Sequence, residues 1–124
     1  MKNALQLIGE KKSMIKKTDI VYISGPMTGY HLYNYPLFFA VEGLLKKYFA
    51  CKVLNPARHE DGLEYEEYMK RAMLDVQLCD CIVLLPGWLS SRGASREVAE
   101  GQRLQKRFLL YDEILTAISI KLEA

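Results

Sequence analysis

The chain is 124 residues long, the size of one ordinary domain, and half of it is apolar, enough for one real core. Seventeen basic residues oppose fifteen acidic ones, and the net charge of +2 is too weak to argue for binding a nucleic-acid polymer or a membrane surface. No run of about 20 apolar residues is present to span a bilayer, and the apolar part of MKNALQLIGEKKS is too short for a signal peptide.

Residues 1–17 are lysine-rich and read as a solvated lead-in to a single domain over 18–124. DIVYIS (19–24) is a short β-branched apolar run closed by Gly25-Pro26, which predicts a buried strand and a turn. NYPLFFAVEGLLKKYF (34–49) predicts a helix with Asn34 as N-cap and Pro36 in the first turn, where a missing N–H does no harm. CKVLNP (51–56) predicts a second strand stopped by proline. EYEEYMKRAMLDVQL (64–78) carries acids early and bases later, as the helix dipole prefers.

DCIVLLPG (80–87) is apolar on both faces, as a strand inside a parallel sheet requires. Ser90 or Ser91 caps the next helix, which runs to about residue 105. RFLLY (107–111) predicts a fourth strand, and the remaining residues a terminal helix. The cysteines, Cys51, Cys79 and Cys81, are odd in number and contain no Cys-x-x-Cys pair. They read as buried thiols of a cytoplasmic protein.

Regular alternation of strand and helix implies right-handed crossovers. The expected architecture is a three-layer, flavodoxin-like (Rossmann-like) α/β fold with strand order 2-1-3-4 and room for an extra edge element. Such sheets bind ligands beyond the carboxyl ends of the strands, where the order reverses. That point lies between the first and third strands, so GPMTGYHLYNY and PGWLSSRGAS face the crevice.

The SGPMTG loop offers Gly25, Pro26, Met27 and Gly29 as substrate- or phosphate-binding positions, because glycines let backbone N–H groups approach a ligand. It lacks the Gly-Lys-Ser/Thr ending of a P-loop, and a plain tight turn is the alternative. In SSRGAS, Ser91, Arg92 and Gly93 lead into a helix N-terminus, where free N–H groups favour an anion. An ordinary serine cap beside a solvated arginine is the alternative there.

On a helical wheel Ala94, Val98, Gly101 and Leu104 face inward, and Glu97 falls on the border of that face. A half-buried acid near a helix N-terminus is expected to stay ionised and can act as a nucleophile. Asp75 lies at the edge of the stripe Tyr65, Met69, Ala72, Val76 and Cys79, in the C-terminal half where the dipole disfavours an acid. Asp80 reads as a helix-to-strand cap at the far end of the sheet. Tyr22 can point its ring to either layer. The tyrosines after the first strand, with Phe38 and Phe39, offer an aromatic wall for a base, or simply core. His31 and His59 appear isolated in the sequence, and no metal site is expected.

Together, YISGPMTG, the NP after the second strand, and CD-x-IVLLPGW-x-x-S-x-GA-x-x-E resemble the DUF4406 group of the nucleoside 2-deoxyribosyltransferase-like superfamily. The resemblance spans about residues 19–111. It implies a flavodoxin-like fold, a dimer or larger homo-oligomer, and attack at C1′ of a nucleoside or nucleoside 5′-monophosphate without a cofactor. It makes Glu97 the nucleophile, Tyr22 the hydroxyl that orients it, and Gly25 and Gly29 the lining of the sugar or phosphate. Ser91 matches a position that is Asp in the transferases and Ser in the monophosphate hydrolases, which tilts the substrate toward a nucleotide.

One departure stands out. Relatives hold an Asp eight positions before the Asp that opens the third strand, and here that position is Ala72. Asp75, one turn later, either substitutes as the acid that protonates the leaving base or leaves the role unfilled. Trp88 is placed to stack on a base. Three readings follow: an N-glycosidase or deoxyribosyltransferase, a non-catalytic nucleotide binder or sensor, and a protein-interaction module.

Overall fold

In the computed structural model, residues 15–123 are described. Most of the lead-in expected over residues 1–17 lies outside them. Its last residues belong to the domain: Ile15 is buried in the core, and Asp19 closes a turn by accepting the Lys16 N–H at 2.8 Å.

The strands are β1 (Ile20–Ser24), β2 (Lys52–Leu54), β3 (Cys81–Leu84) and β4 (Arg107–Leu110). The helices are α1 (Tyr35–Phe49), α2 (Tyr65–Leu78), α3 (Arg92–Arg103) and α4 (Tyr111–Glu123). All strand pairs are parallel and the order is β2-β1-β3-β4, as the sequence predicts. Among the described residues the sheet has no further edge strand, and no helix is long and apolar enough to cross a membrane.

Alternation along β1 sorts the core into two layers. Val21 and Ile23 meet Phe38, Val41 and Leu45 of α1 and Ile114 and Ile118 of α4. Tyr22 points the other way, into Met69, Ala72 and Val76 of α2 and Val98 of α3. Every residue of β3 is buried, which explains its two-sided apolar sequence. Asp80 bonds across the sheet, accepting the Ile20 N–H at 2.8 Å, so it ties two strand starts at the edge away from the crevice. The three cysteines are free and buried, and burial pushes Cys79 up to about 11 and Cys81 up to about 12.

Two helix starts differ in how they are held. Ser91 caps α3 as expected: its Oγ accepts the Ala94 N–H at 3.1 Å. Asn34 precedes α1 but makes no side-chain cap. It follows Leu32 and Tyr33 in left-handed backbone, and its Nδ2 donates to the Pro26 carbonyl at 2.9 Å. Asparagine tolerates that conformation, and here it is used to fold the loop after β1 back over the sheet.

Candidate functional site

β1 and β3 deliver their loops to the same edge, where the sheet order reverses. Close approach of these loops needs glycine twice. A Cβ on Gly25 would stand 2.7 Å from the Leu85 Cβ, so only a bare backbone lets the first loop lie against the extension of β3. Gly87 has φ +87°, and a Cβ there would meet the Tyr30 hydroxyl at 2.5 Å. The third wall comes from the loop after β2. Asn55 accepts the Ala57 N–H at 2.9 Å and donates to Glu42 Oε1 at 3.1 Å. Arg58 grips both oxygens of the same carboxylate, at 2.9 and 2.7 Å. These donors hold the Glu42 carboxyl down at about 2, so the clamp between α1 and this loop is charged at neutral pH.

The crevice enclosed by these loops has a volume of about 1370 Å³. Gly25, Pro26, Met27, Ser91, Arg92, Gly93 and Glu97 line it. Tyr30, Tyr33, Tyr35, Phe39, Tyr65 and Tyr68 supply aromatic walls. Phe38, the neighbour of Phe39, is wholly buried in the core.

Glu97 sits at the floor. It is buried, not half-buried as its wheel position suggests, because the sheet and α2 close over the border of the α3 face. Its carboxylate accepts two hydroxyls: Tyr22 Oη donates to Oε2 at 2.7 Å and Ser24 Oγ to Oε1 at 2.6 Å. Both donors sit on one face of β1, two residues apart. Desolvation nevertheless wins, raising the carboxyl to about 7 against the lowering effect of Ser24, Tyr22 and the nearby His59. The expectation that a helix N-terminus keeps it ionised is corrected here. Glu97 is the sixth residue of α3, beyond the first turn where the dipole acts. Tyr22, wholly buried, has its phenol pushed well above its ordinary value, first by burial and then by Glu97, so it remains a donor.

Four sequence readings change. Gly29 and Trp88 do not line the crevice. Gly29 serves a left-handed turn with φ +85°, and Trp88 packs its ring against the apolar layer that holds Tyr22 and Phe108. Asp75 does not line it either. Its Oδ2 is 3.0 Å from His59 Nε2, and His59 does line the crevice. His59 is therefore not isolated; its ring also packs edge-on against Tyr68, centroids 5.4 Å apart. Ala72 is buried among the apolar side chains around Tyr22.

Two participants went unread. Ser24 carried a local signal, since it lies two residues beyond Tyr22 and so on the same face of the strand. The pairing of His59 with Asp75 carried none. Arg92 lies over the Tyr65 ring, its guanidinium carbon 4.7 Å from the centroid, which parks a cation at the mouth of the crevice. Among the described residues no group of three or more His, Cys, Asp or Glu side chains is arranged to hold a metal ion.

A parallel α/β domain with a buried, hydroxyl-held carboxylate under a crevice at its carboxyl edge is the class these observations define. Within that class, the chain belongs to DUF4406, a family described as a domain of unknown function, whose model matches residues 19–109. Among solved structures, the C-terminal domain of a hydrogenase from Pyrococcus furiosus is similar at 15% identity, with 81% of this chain and 95% of that chain covered and a TM-score of 0.38. No curated protein matches the chain significantly.

Proposed function

We propose that this protein breaks the N-glycosidic bond of a nucleoside 5′-monophosphate, or of the parent nucleoside, passing the sugar to water or to a second base. The observation that carries the reading is Glu97: a carboxylate buried beneath an open crevice, held on both oxygens by Tyr22 and Ser24. The two hydroxyls fix its direction without neutralising it. Such a group stabilises an oxocarbenium-like transition state at C1′ and can bond to it covalently, as the nucleophile of a retaining glycosidase does. The resemblance to the nucleoside 2-deoxyribosyltransferase-like superfamily supports the same assignment.

The phosphate end is read from α3. Ser91 spends its oxygen on the Ala94 N–H, which leaves its own O–H to donate, and Arg92 stands beside it on the wall. The aromatic walls suit a base, and Asp75 supports the leaving-group side through His59. The reaction requires no metal or organic cofactor. The same resemblance implies a homo-oligomer, in keeping with exposed Tyr30, Leu32 and Tyr33 at the crevice mouth, and the buried free thiols are those of a cytoplasmic protein.

The test is release of free base from a panel of nucleosides and their 5′-monophosphates, wild type beside Glu97→Ala. Release that favours monophosphates and vanishes in the variant is expected. A second reading, a nucleotide sensor without turnover, is favoured by the apolar Ala72 where relatives hold an acid. Binding that raises the melting temperature with no base released from any substrate would establish it instead.

A further inference from the structure

Resting on that reading, we infer that His59, aligned by Asp75, is the proton donor to the leaving base. Asp75 itself does not line the crevice, whereas His59 does. The two side chains meet at 3.0 Å through His59 Nε2. The other ring nitrogen, Nδ1, is buried and has no hydrogen-bond partner in the protein. His59 lines the crevice, and a ring with one nitrogen engaged by a carboxylate and the other unpaired is arranged to pass a proton at that nitrogen. The carboxylate fixes the ring's orientation and the nitrogen that faces away from it, as in a triad.

The ring is also held in place. The His59 backbone N–H donates to the Pro56 carbonyl at 3.1 Å, closing the short turn Pro56–Arg58 that the Glu42 clamp anchors. Tyr68 packs against its edge. His59 and Glu97 line the same crevice, and a charge on His59 lowers the Glu97 carboxyl. An aspartate at position 72 would be buried among Tyr22, Met69 and Val76; in this chain the acid's role has moved one turn along α2 and acts through a histidine from the loop after β2.

The proposed steps balance. As the C1′–N bond breaks, its electron pair goes to the base, which takes the Nδ1 proton of the His59 imidazolium, and a Glu97 oxygen bonds to C1′. Water then attacks C1′, frees the Glu97 carboxylate and returns a proton to Nδ1. The products are the free base and the sugar phosphate.

Leaving-group dependence tests the assignment. Steady-state kinetics are measured for wild type, His59→Gln, Asp75→Asn and Glu97→Ala on a deoxynucleoside 5′-monophosphate and on 4-nitrophenyl 2-deoxyriboside 5-phosphate, whose phenolate leaves without protonation. His59→Gln is expected to lower kcat on the nucleotide by about 10²-fold or more and on the nitrophenyl substrate by only about fivefold. Asp75→Asn follows the same pattern more weakly, and Glu97→Ala loses both activities. Melting temperatures of the variants establish that they are folded.

Equal losses on both substrates in His59→Gln would overturn the donor assignment while leaving the glycosidase reading intact. Glu97→Ala that keeps both activities, or wild type that acts on neither substrate, would overturn the two together.

Discussion

The Tyr22 hydroxyl donates to Glu97 Oε2 at 2.7 Å across 75 residues of sequence, joining the second layer of β1 to the second turn of α3. The bond holds a carboxylate where water is excluded, and this conflict between desolvation and hydrogen bonding sets the chemistry of the site. With the carboxyl raised to about 7, Glu97 changes charge near neutral pH.

The first prediction concerns rate against pH. On the proposed mechanism only the carboxylate attacks, so kcat/KM rises about tenfold per pH unit below the Glu97 value of about 7. Tyr22→Phe removes a bond that lowers this carboxyl, so its rising limb shifts to higher pH. A matched pair of pH–rate profiles reads the shift. A Tyr22→Phe limb displaced toward acid would contradict the role given to the hydroxyl.

The second concerns stability. The Glu97 carboxyl stands at about 7 when folded, against 4.5 as its ordinary value. Between these values the folded state binds more protons than the unfolded state, so this group's contribution falls as pH rises through that window. Above it, the buried charge costs about 3 kcal/mol. Glu97→Gln is therefore expected to be more stable than wild type at pH 8, by up to about 3 kcal/mol, and to show no gain near pH 4.5. Urea unfolding at the two pH values decides it; a gain of the same size at both would point to packing instead.

A third concerns the phosphate. Ser91→Asp keeps an N-cap for α3, since aspartate accepts the Ala94 N–H as well as serine does. It also places a negative charge on the crevice wall. The expected result is a loss of about 10²-fold in kcat/KM on monophosphates with about threefold or less on nucleosides, because like charges set close together cost several kcal/mol. Parallel losses on both substrates would put the phosphate elsewhere.

The fourth concerns how α3 reaches the sheet. A Cβ on Gly101 would lie 2.5 Å from Ile82 Cδ1 and 3.0 Å from Phe108 Cζ. Gly101→Ala is expected to destabilise by about 1–3 kcal/mol even though alanine is the better helix former. Moving the helix off the sheet also draws Glu97 away from Tyr22, so activity falls with stability. Chemical denaturation and base release on the same preparation check both effects; an unchanged midpoint would show that Ile82 and Phe108 repack freely.

Much of this was legible in the residues. Blocks of β-branched and apolar residues alternating with amphipathic stretches specify strands and helices in order, and parallel crossovers then leave few topologies. The loops that face the crevice follow from that order, and the helical wheel puts Glu97 at the border of the inward face, whereas the pairing of Tyr22 with Glu97 comes only from the family resemblance. Trp88 and Gly29 were misplaced because membership of a crevice loop does not say which side of the loop a residue takes. Trp88 turns its ring back to the apolar layer, where its burial is more favourable than exposure on the wall.

The sequence by itself determined the order of elements and the loops that bound the crevice at one edge of the sheet. Both rest on local periodicity and on turn residues, which act over a few positions of chain. The tertiary structure alone decided that Glu97 is fully desolvated and titrates near neutrality, that Ser24 shares it with Tyr22, and that Asp75 meets the crevice through His59. Desolvation and hydrogen bonding depend on what packs against a side chain in space, and here the partners come from other elements, between 16 and 75 residues away.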